Sequence, residues 1–250
     1  MGIIVIKIGG VASHQLSAFF FQQLKNWRQA GKKIVLIHGG GRYVSEMLEK
    51  LQIPIQKKDG LRVTTKETLE VTKMVLIGQV QPCITSFLQA NQLPAIGLNA
   101  SDGHLLTGKF LSKETYGLVG KVAAVQTDVL HDLLEKDYIP VIAPLGLLEK
   151  TEDQWLNINA DAVACEVAAA LKAEALYLLT DVPGIQHQNK WLEELSIHQI
   201  EGLKQAESLS GGMLPKVESA MQAVLSGVKQ VIITNELENQ GTRMKGVTAG

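Results

Sequence analysis

Short apolar runs of strand length alternate along this chain with longer stretches of helical periodicity, and that alternation restricts the fold more than any other feature. Residues 3–8 (Ile-Ile-Val-Ile-Lys-Ile) and 33–38 (Lys-Ile-Val-Leu-Ile-His) are nearly continuous apolar runs, the pattern of strands buried on both faces. A helical pattern follows each, over residues 15–30 and 42–51. Further strands are expected at 95–98, 139–143, 175–180 and 230–234, and helices at 128–136, 160–171 and 214–225. Thr64 and Glu67 have capping-box spacing ahead of a helix running towards Gly78, and Pro82 suits the first turn of the next one. Strands alternating with helices predict an α/β chain, a three-layer αβα sandwich around a mostly parallel open sheet. Residues 103–125 and 146–156, rich in Gly and polar side chains, read as hairpins.

Composition narrows the function classes. Apolar residues make up 46% of the 250 positions and charged residues 20%, enough for a sizeable core and too apolar for a disordered chain. The net charge of −1 comes without a basic run, so no nucleic-acid or anionic-membrane partner is expected. No apolar stretch is long enough to span a bilayer. Met1-Gly2 leads directly into the first strand with no charged leader, and Cys83 and Cys165 have neither metal nor redox spacing; a cytoplasmic location is the expectation. His14, His104, His131, His187 and His198 lack metal-ligand spacing, and His38, at the end of a buried strand, is read as bonded to backbone.

In a sheet of this kind, ligands bind beyond the carboxyl ends of the strands. Four such ends run into glycine or polar residues: Lys7-Ile8-Gly9-Gly10, His38-Gly39-Gly40-Gly41, Thr180-Asp181-Val182-Pro183-Gly184, and Ser210-Gly211-Gly212-Met213-Leu214-Pro215-Lys216 ahead of a helix. Glycines let backbone N–H groups approach an anion closely, and helix N-termini favour phosphate or carboxylate. Two facing loops of this type would grip a transferring phosphoryl group; tight strand-to-helix turns are the other reading.

Competing phosphate loops fail on inspection. Lys216 lies between Pro215 and Val217, so the Ser or Thr of a Walker A loop is missing, and Val44 stands where a dinucleotide fingerprint starting at Gly39 requires glycine. The protein-kinase signature set is absent. The lysines carry more weight. Lys7 is embedded in an apolar strand and either reaches water from the strand end or meets a buried anion. Lys216, close to a helix start, opposes the helix dipole unless a bound polyphosphate offsets it. Arg62 suits bidentate pairing with a carboxylate, or a surface ion pair with Asp59 or Glu67. Asp161, Asn157 and Asn159 stand near a helix start, where a cap or first-turn charge is also expected.

These segments, together with Asp59-Gly60-Leu61-Arg62-Val63-Thr64, Asn157-Ile158-Asn159-Ala160-Asp161 and Leu179-Thr180-Asp181, occur in an order and spacing that resembles the amino-acid kinase family from Ile3 to Arg243. The resemblance implies a single kinase domain with two lobes, residues 1–172 for the amino-acid substrate and 173–250 for ATP. It implies that Lys7 and Lys216 stabilise the transferring phosphoryl group and that Asp161 orients them. Gly40 and Gly41 would contact the acylated amino acid, Arg62 would clamp its α-carboxylate, and Asn157 would hold its amide. Gly9, Gly10, Thr180, Asp181, Gly184, Ser210, Gly211, Gly212 and Met213 would bind ATP, which brings Mg²⁺ with it. Within the family, Gly60-Leu61-Arg62-Val63-Thr64 is similar to members that phosphorylate the side-chain carboxylate of N-acetylglutamate. An aminoadipate derivative or another small carboxylate is the alternative acceptor. A non-catalytic amino-acid or nucleotide sensor is the third reading, which retention of both lysines disfavours. Arginine-inhibited members carry a helix ahead of the first strand; this chain starts almost at that strand and resembles the arginine-insensitive, homodimeric members.

Overall fold

The structure, a computed structural model, describes residues 2–9, 16–151, 153–188, 190–196, 199–200 and 213–245. The chain runs β1 (Ile3–Ile8), α1 (Ala18–Gln29), β2 (Lys33–His38), α2 (Gly41–Lys50), β3 (Lys57–Lys58), β4 (Leu61–Arg62) and α3 (Lys66–Val75). A π-turn, Leu76–Val80, joins α3 to α4 (Gln81–Ala90), in whose first turn Pro82 stands as its position predicts. There follow β5 (Ala95–Leu98), β6 (Leu106–Phe110), α5 (Lys113–Tyr116), β7 (Val119–Val125), α6 (Asp128–Glu135), β8 (Ile139–Ile142), β9 (Leu145–Leu148) and β10 (Trp155–Ile158). The remainder is α7 (Ala160–Ala170), β11 (Ala175–Leu179), β12 (Gln186–His187), β13 (Lys190–Trp191), β14 (Glu194–Leu195), α8 (Met213–Leu225), β15 (Gln230–Thr234) and β16 (Thr242–Lys245).

Among the described residues, eight strands form the central sheet in the order β14-β16-β15-β11-β1-β2-β8-β5. Of these, only β15 and β16 pair antiparallel, so the mostly parallel sheet read from the sequence is present. Period-2 alternation explains why β1 and β2 are apolar throughout. Val5, Val35 and Ile37 enter one core with Leu130 of α6, Val163 of α7 and Val217 of α8. Ile4, Ile6, Ile34 and Leu36 enter the other with Leu24 of α1, Leu48 of α2 and Ile84 of α4. Each such side chain, fully removed from water, contributes roughly 1.5–3 kcal/mol before chain entropy is subtracted. Lys7 shares the face of Val5, and so points at α7 and α8.

One expectation is corrected and another is extended. The cap of α3 is Thr65, whose Oγ1 accepts from the Thr68 N–H at 3.2 Å. Thr64 instead lies fully buried, its backbone joined to Tyr116 and Leu118. The capping-box spacing of Thr64 and Glu67 is thus coincidental; local spacing does not distinguish adjacent threonines when tertiary pairing claims one of them. The two expected hairpins do form antiparallel pairs, β6 with β7 and β9 with β10. They also pair with each other in parallel, β10 with β7 and β6 with β9, closing a four-stranded barrel. That closure depends on contacts between distant segments and leaves no local periodicity.

Candidate active site

The carboxyl ends of β1, β2 and β11 lie side by side, with Lys7 in register with Ile37 and Leu178. Beyond them opens a cleft of about 480 Å³, walled by the Gly39-Gly40-Gly41 turn, the β3–β4 hairpin, the barrel and the start of α7. The hairpin turns on Asp59 (φ 51°) and Gly60 (φ 77°), the two positive-φ residues that a type I′ turn demands. The β2–α2 turn needs glycine for closeness: a Cβ on Gly40 would stand 2.5 Å from Leu76 Cδ2 of the π-turn.

Lys7 and Asp161 line the base of the cleft, and Lys216, which is not among its lining residues, converges on Asp161 from α8. Lys7 Nζ is 2.9 Å from Asp161 Oδ1, and Lys216 Nζ donates to Asp161 Oδ2 at 2.9 Å. Lys7 Nζ also donates to the Leu179 carbonyl at 3.4 Å. Lys7 and Asp161 are buried, so the lysine does not reach water from the strand end. Local sequence places each group. Period 2 directs Lys7 at the helical layer, and Asp161 occupies the first turn of α7 and Lys216 that of α8. Asn159 is the α7 cap, its Oδ1 accepting from the N–H groups of Asp161 and Ala162 at 2.8 and 3.2 Å. Asp161 is therefore more than a first-turn charge. Burial by itself would raise its pKa, and the Lys7 and Lys216 ammonium groups outweigh that and hold the carboxyl below its ordinary value.

Among the described residues lining the cleft, Lys7, Arg42, Lys57 and Arg62 are cationic and Asp161 is the one carboxylate. Lys57 stands directly opposite Arg62 in the hairpin, a like-charge pair that is unfavourable unless an anion lies between or beside the two. Lys57 was missed by motif reading; the signal available was its cross-strand position around the Asp59-Gly60 turn. Arg62 does not form the surface ion pair considered above. Asp59 accepts from the Tyr116 hydroxyl at 2.8 Å, and Glu67 from the Thr65 hydroxyl at 2.8 Å. Arg62 Nη2 donates to Gly41 O at 2.9 Å and Ser45 Oγ at 2.7 Å, while Nη1 is buried with no partner among the described residues. Burial pulls the guanidinium below its ordinary pKa. A half-buried, partly unsatisfied guanidinium at the wall of a cationic cleft is built for an anionic ligand.

Gly40, Gly41 and Asn157 line the same cleft, and Asn157 Nδ2 donates to Thr64 Oγ1 at 3.1 Å. Gly9 follows β1 against the Leu179 carbonyl. Thr180, Asp181 and Gly184 follow β11 and are not among the residues lining the cleft. The Thr180 N–H donates to Thr234 O at 2.8 Å, and Gly184 is packed against Thr242. Of the three, Thr180 directly follows Leu179, whose carbonyl accepts from Lys7. Met213 is the first residue of α8; Gly10, Ser210, Gly211 and Gly212 lie outside the described residues. His38 bonds backbone as expected, through Nδ1 to Gly39 O at 3.0 Å. No group of three or more metal-ligating side chains occurs among the described residues.

The arrangement places two ammonium groups on one buried carboxylate, beside glycine N–H groups and an arginine. It suits transfer of a multiply charged group between two anions, where charge neutralisation and alignment are the whole task. Comparison with known proteins agrees. The model of the Amino acid kinase family matches residues 2–235. An acetylglutamate kinase of Listeria monocytogenes is 54% identical over 246 residues, covering 98% of both chains. That of Leuconostoc mesenteroides is 44% identical over 239 residues, covering 96% of this chain and 97% of the relative. The crystal structure of smu.665 from Streptococcus mutans superposes with a TM-score of 0.91 at 39% identity, covering 97% and 98% of the two chains.

Proposed function

The chain belongs to the amino acid kinase family, and on that premise we infer that it catalyses the ATP-dependent phosphorylation of the side-chain carboxylate of N-acetyl-L-glutamate, an acetylglutamate kinase activity. The reaction is a step of arginine biosynthesis. The observation that carries the reading at the site is the convergence of Lys7 and Lys216 on Asp161, each at 2.9 Å, at the base of a cationic cleft.

The acceptor carboxylate is already ionised at neutral pH, so attack on the γ-phosphorus requires no general base. One carboxylate oxygen forms the new O–P bond as the bond from phosphorus to the β,γ-bridging oxygen breaks, yielding the acyl phosphate and ADP. Each ammonium has three donors. Lys7 donates one to Leu179 O and forms an ion pair with Asp161 Oδ1, Lys216 donates one to Asp161 Oδ2, and the others are available for phosphoryl oxygens. Asp161 cancels one of the two positive charges and fixes where both sit. Arg62 holds the α-carboxylate of the amino acid, and Gly40, Gly41 and Asn157 hold the remainder. Gly9, Thr180, Asp181 and Gly184, with the segment leading into α8, bind the nucleotide. Mg²⁺ arrives on ATP as part of the substrate and is held by the phosphates. The Asp161 oxygens face lysines and are not offered to it.

In this reading the boundary between the lobes falls within one continuous sheet, between β1 and β11, so phosphoryl transfer takes place across its middle. A homodimer is also part of the proposal. β5 is an edge strand, and Met74 and Phe87, on the helices ahead of it, are exposed. No helix among the described residues is long and apolar enough to cross a membrane, and we place the enzyme in the cytoplasm.

Trapping the acyl phosphate with hydroxylamine tests the function. Hydroxamate forms with N-acetylglutamate and ATP, and not with aminoadipate, aspartate, glutamate or carbamate. Turnover of another panel member in its place transfers the assignment to a sister kinase, and binding without turnover makes the protein a sensor. Arg62→Lys tests the clamp. A point charge does not reproduce a bidentate fork, so the KM for N-acetylglutamate rises on the order of 10-fold while the KM for ATP stays near wild type. An equal rise in both constants would remove Arg62 from amino-acid recognition.

A further inference from the structure

We propose that His38 is a positioning residue of this kinase: its ring holds the Gly39–Gly40 peptide in the orientation that turns the Gly40 N–H towards the cleft. The inference rests on the reading of the cleft as a phosphoryl-transfer site.

His38 ends β2 and is fully buried. Its Nδ1 lies 3.0 Å from Gly39 O. A carbonyl oxygen only accepts, so Nδ1 carries the ring proton and Nε2 is the bare nitrogen. Nε2 is buried and has no hydrogen-bond partner among the described residues. An unpaired buried nitrogen is costly, and the rest of the strand, Ile34 to Ile37, is apolar. A leucine here would fill the core without that cost. The position keeps a polar ring for its other nitrogen.

That nitrogen acts on one peptide. The Gly39 N–H donates to Ile8 O at 2.8 Å, tying the turn to β1, and the Gly39 carbonyl is taken by the ring. In a planar trans peptide the carbonyl and the following N–H point in opposite directions. With Gly39 O turned to His38, the Gly40 N–H points away from the ring. Gly39, Gly40 and Gly41 all line the cleft. A Gly-Gly peptide has no Cβ to bias its orientation, so it turns over at little cost unless something holds it. The ring is that hold. Burial pulls the His38 pKa down to about 4, so the ring is neutral and keeps its single donor throughout the working pH range.

Three substitutions separate the donor from the packing. His38→Asn places an amide NH₂ near the position of Nδ1, His38→Gln places it near Nε2, and His38→Leu has no donor. With ATP and N-acetylglutamate, the Leu and Gln variants lose at least about 10-fold in kcat with both KM values little changed. The Asn variant stays within about 3-fold of wild type. Thermal melting shows which variants are folded. A folded Leu variant with wild-type kcat overturns the proposal, as does an Asn variant that falls as far as Leu. Nitrogen-15 NMR of histidine-labelled wild-type protein gives a readout independent of the variants. A neutral ring protonated on Nδ1 from pH 6 to 8 is expected, and protonation on Nε2 overturns the inference. If wild-type protein shows no kinase turnover, the reading of the cleft fails; the NMR result still decides which way the peptide is held.

Discussion

Lys216→Ala lowers kcat on the order of 10²–10³ while leaving the fold intact, by comparison with other charge-stabilising donors removed from active sites. Lys216 is the cleaner of the two lysines to remove. Its side chain is 22% exposed against 8% for Lys7, and it stands in the first turn of α8, where a cation opposes the helix dipole. Its loss leaves Asp161 paired with Lys7, so no buried carboxylate is orphaned. Because the ammonium acts on charge that develops during transfer, kcat and kcat/KM fall together, and the melting temperature drops only modestly, since Lys7 still pairs with Asp161. Lys7→Ala gives a similar fall in rate, together with destabilisation, since it empties a buried position in the central strand. A Lys216→Ala enzyme with full activity would remove that lysine from the mechanism. Single and double variants will not add, because both lysines act through one carboxylate.

Asp161→Asn has the larger structural effect. The substitution preserves shape and removes the one charge that holds Lys7 and Lys216 together. Two cations then face each other at the edge of the core, and breaking a buried pair in this way costs about 3–5 kcal/mol. Partial exposure of Lys216 puts the expectation near the lower figure, about 3 kcal/mol. Turnover falls by at least as much as for Lys216→Ala, since both ammonium groups lose their place. The pH dependence has a definite sign. The folded-state pKa of Asp161 is depressed by the two lysines, against the opposing effect of burial. Its contribution to stability is therefore complete above the unfolded-state value, about 3.9, and is lost as pH falls through the folded value. Urea denaturation at pH 7 shows the full gap between wild type and variant. The gap narrows in strong acid, where a protonated Asp161 resembles Asn. A gap of constant size across that range would show that shape, not charge, accounts for the loss.

How much of this was legible before folding differs from residue to residue. The strands at Ile3–Ile8 and Lys33–His38 appear at their expected positions, because an apolar run bounded by turn residues is a local property. The helices at 128–136 and 160–171 end one residue early in the structure, the usual fraying of a boundary. Lys7 stood out because one charge in an apolar strand needs a reason. Thr64 misled, since two adjacent threonines offer the same capping spacing and only pairing with Tyr116 and Leu118 decides between them. Lys57 had no motif, yet the cross-strand pairing puts it opposite Arg62 at the cleft. Both asparagines were open to either role; Asn159 is the cap, and both it and Asn157 line the cleft.

By itself the sequence determined the long apolar strands and the helices between them, the glycine turns at the strand ends, and the face of β1 on which Lys7 stands, because side-chain direction in a strand alternates within a few bonds of the backbone. Tertiary structure alone decided what covers that face. The order of strands in the sheet and the packing of α7 on α8 bring Asp161 and Lys216 to Lys7, and the closing of four short strands into a barrel brings Asn157 to Thr64 at the wall of the cleft. Those contacts are set by how layers bury their apolar sides against one another, an energy summed over the whole chain and written in no single segment of it.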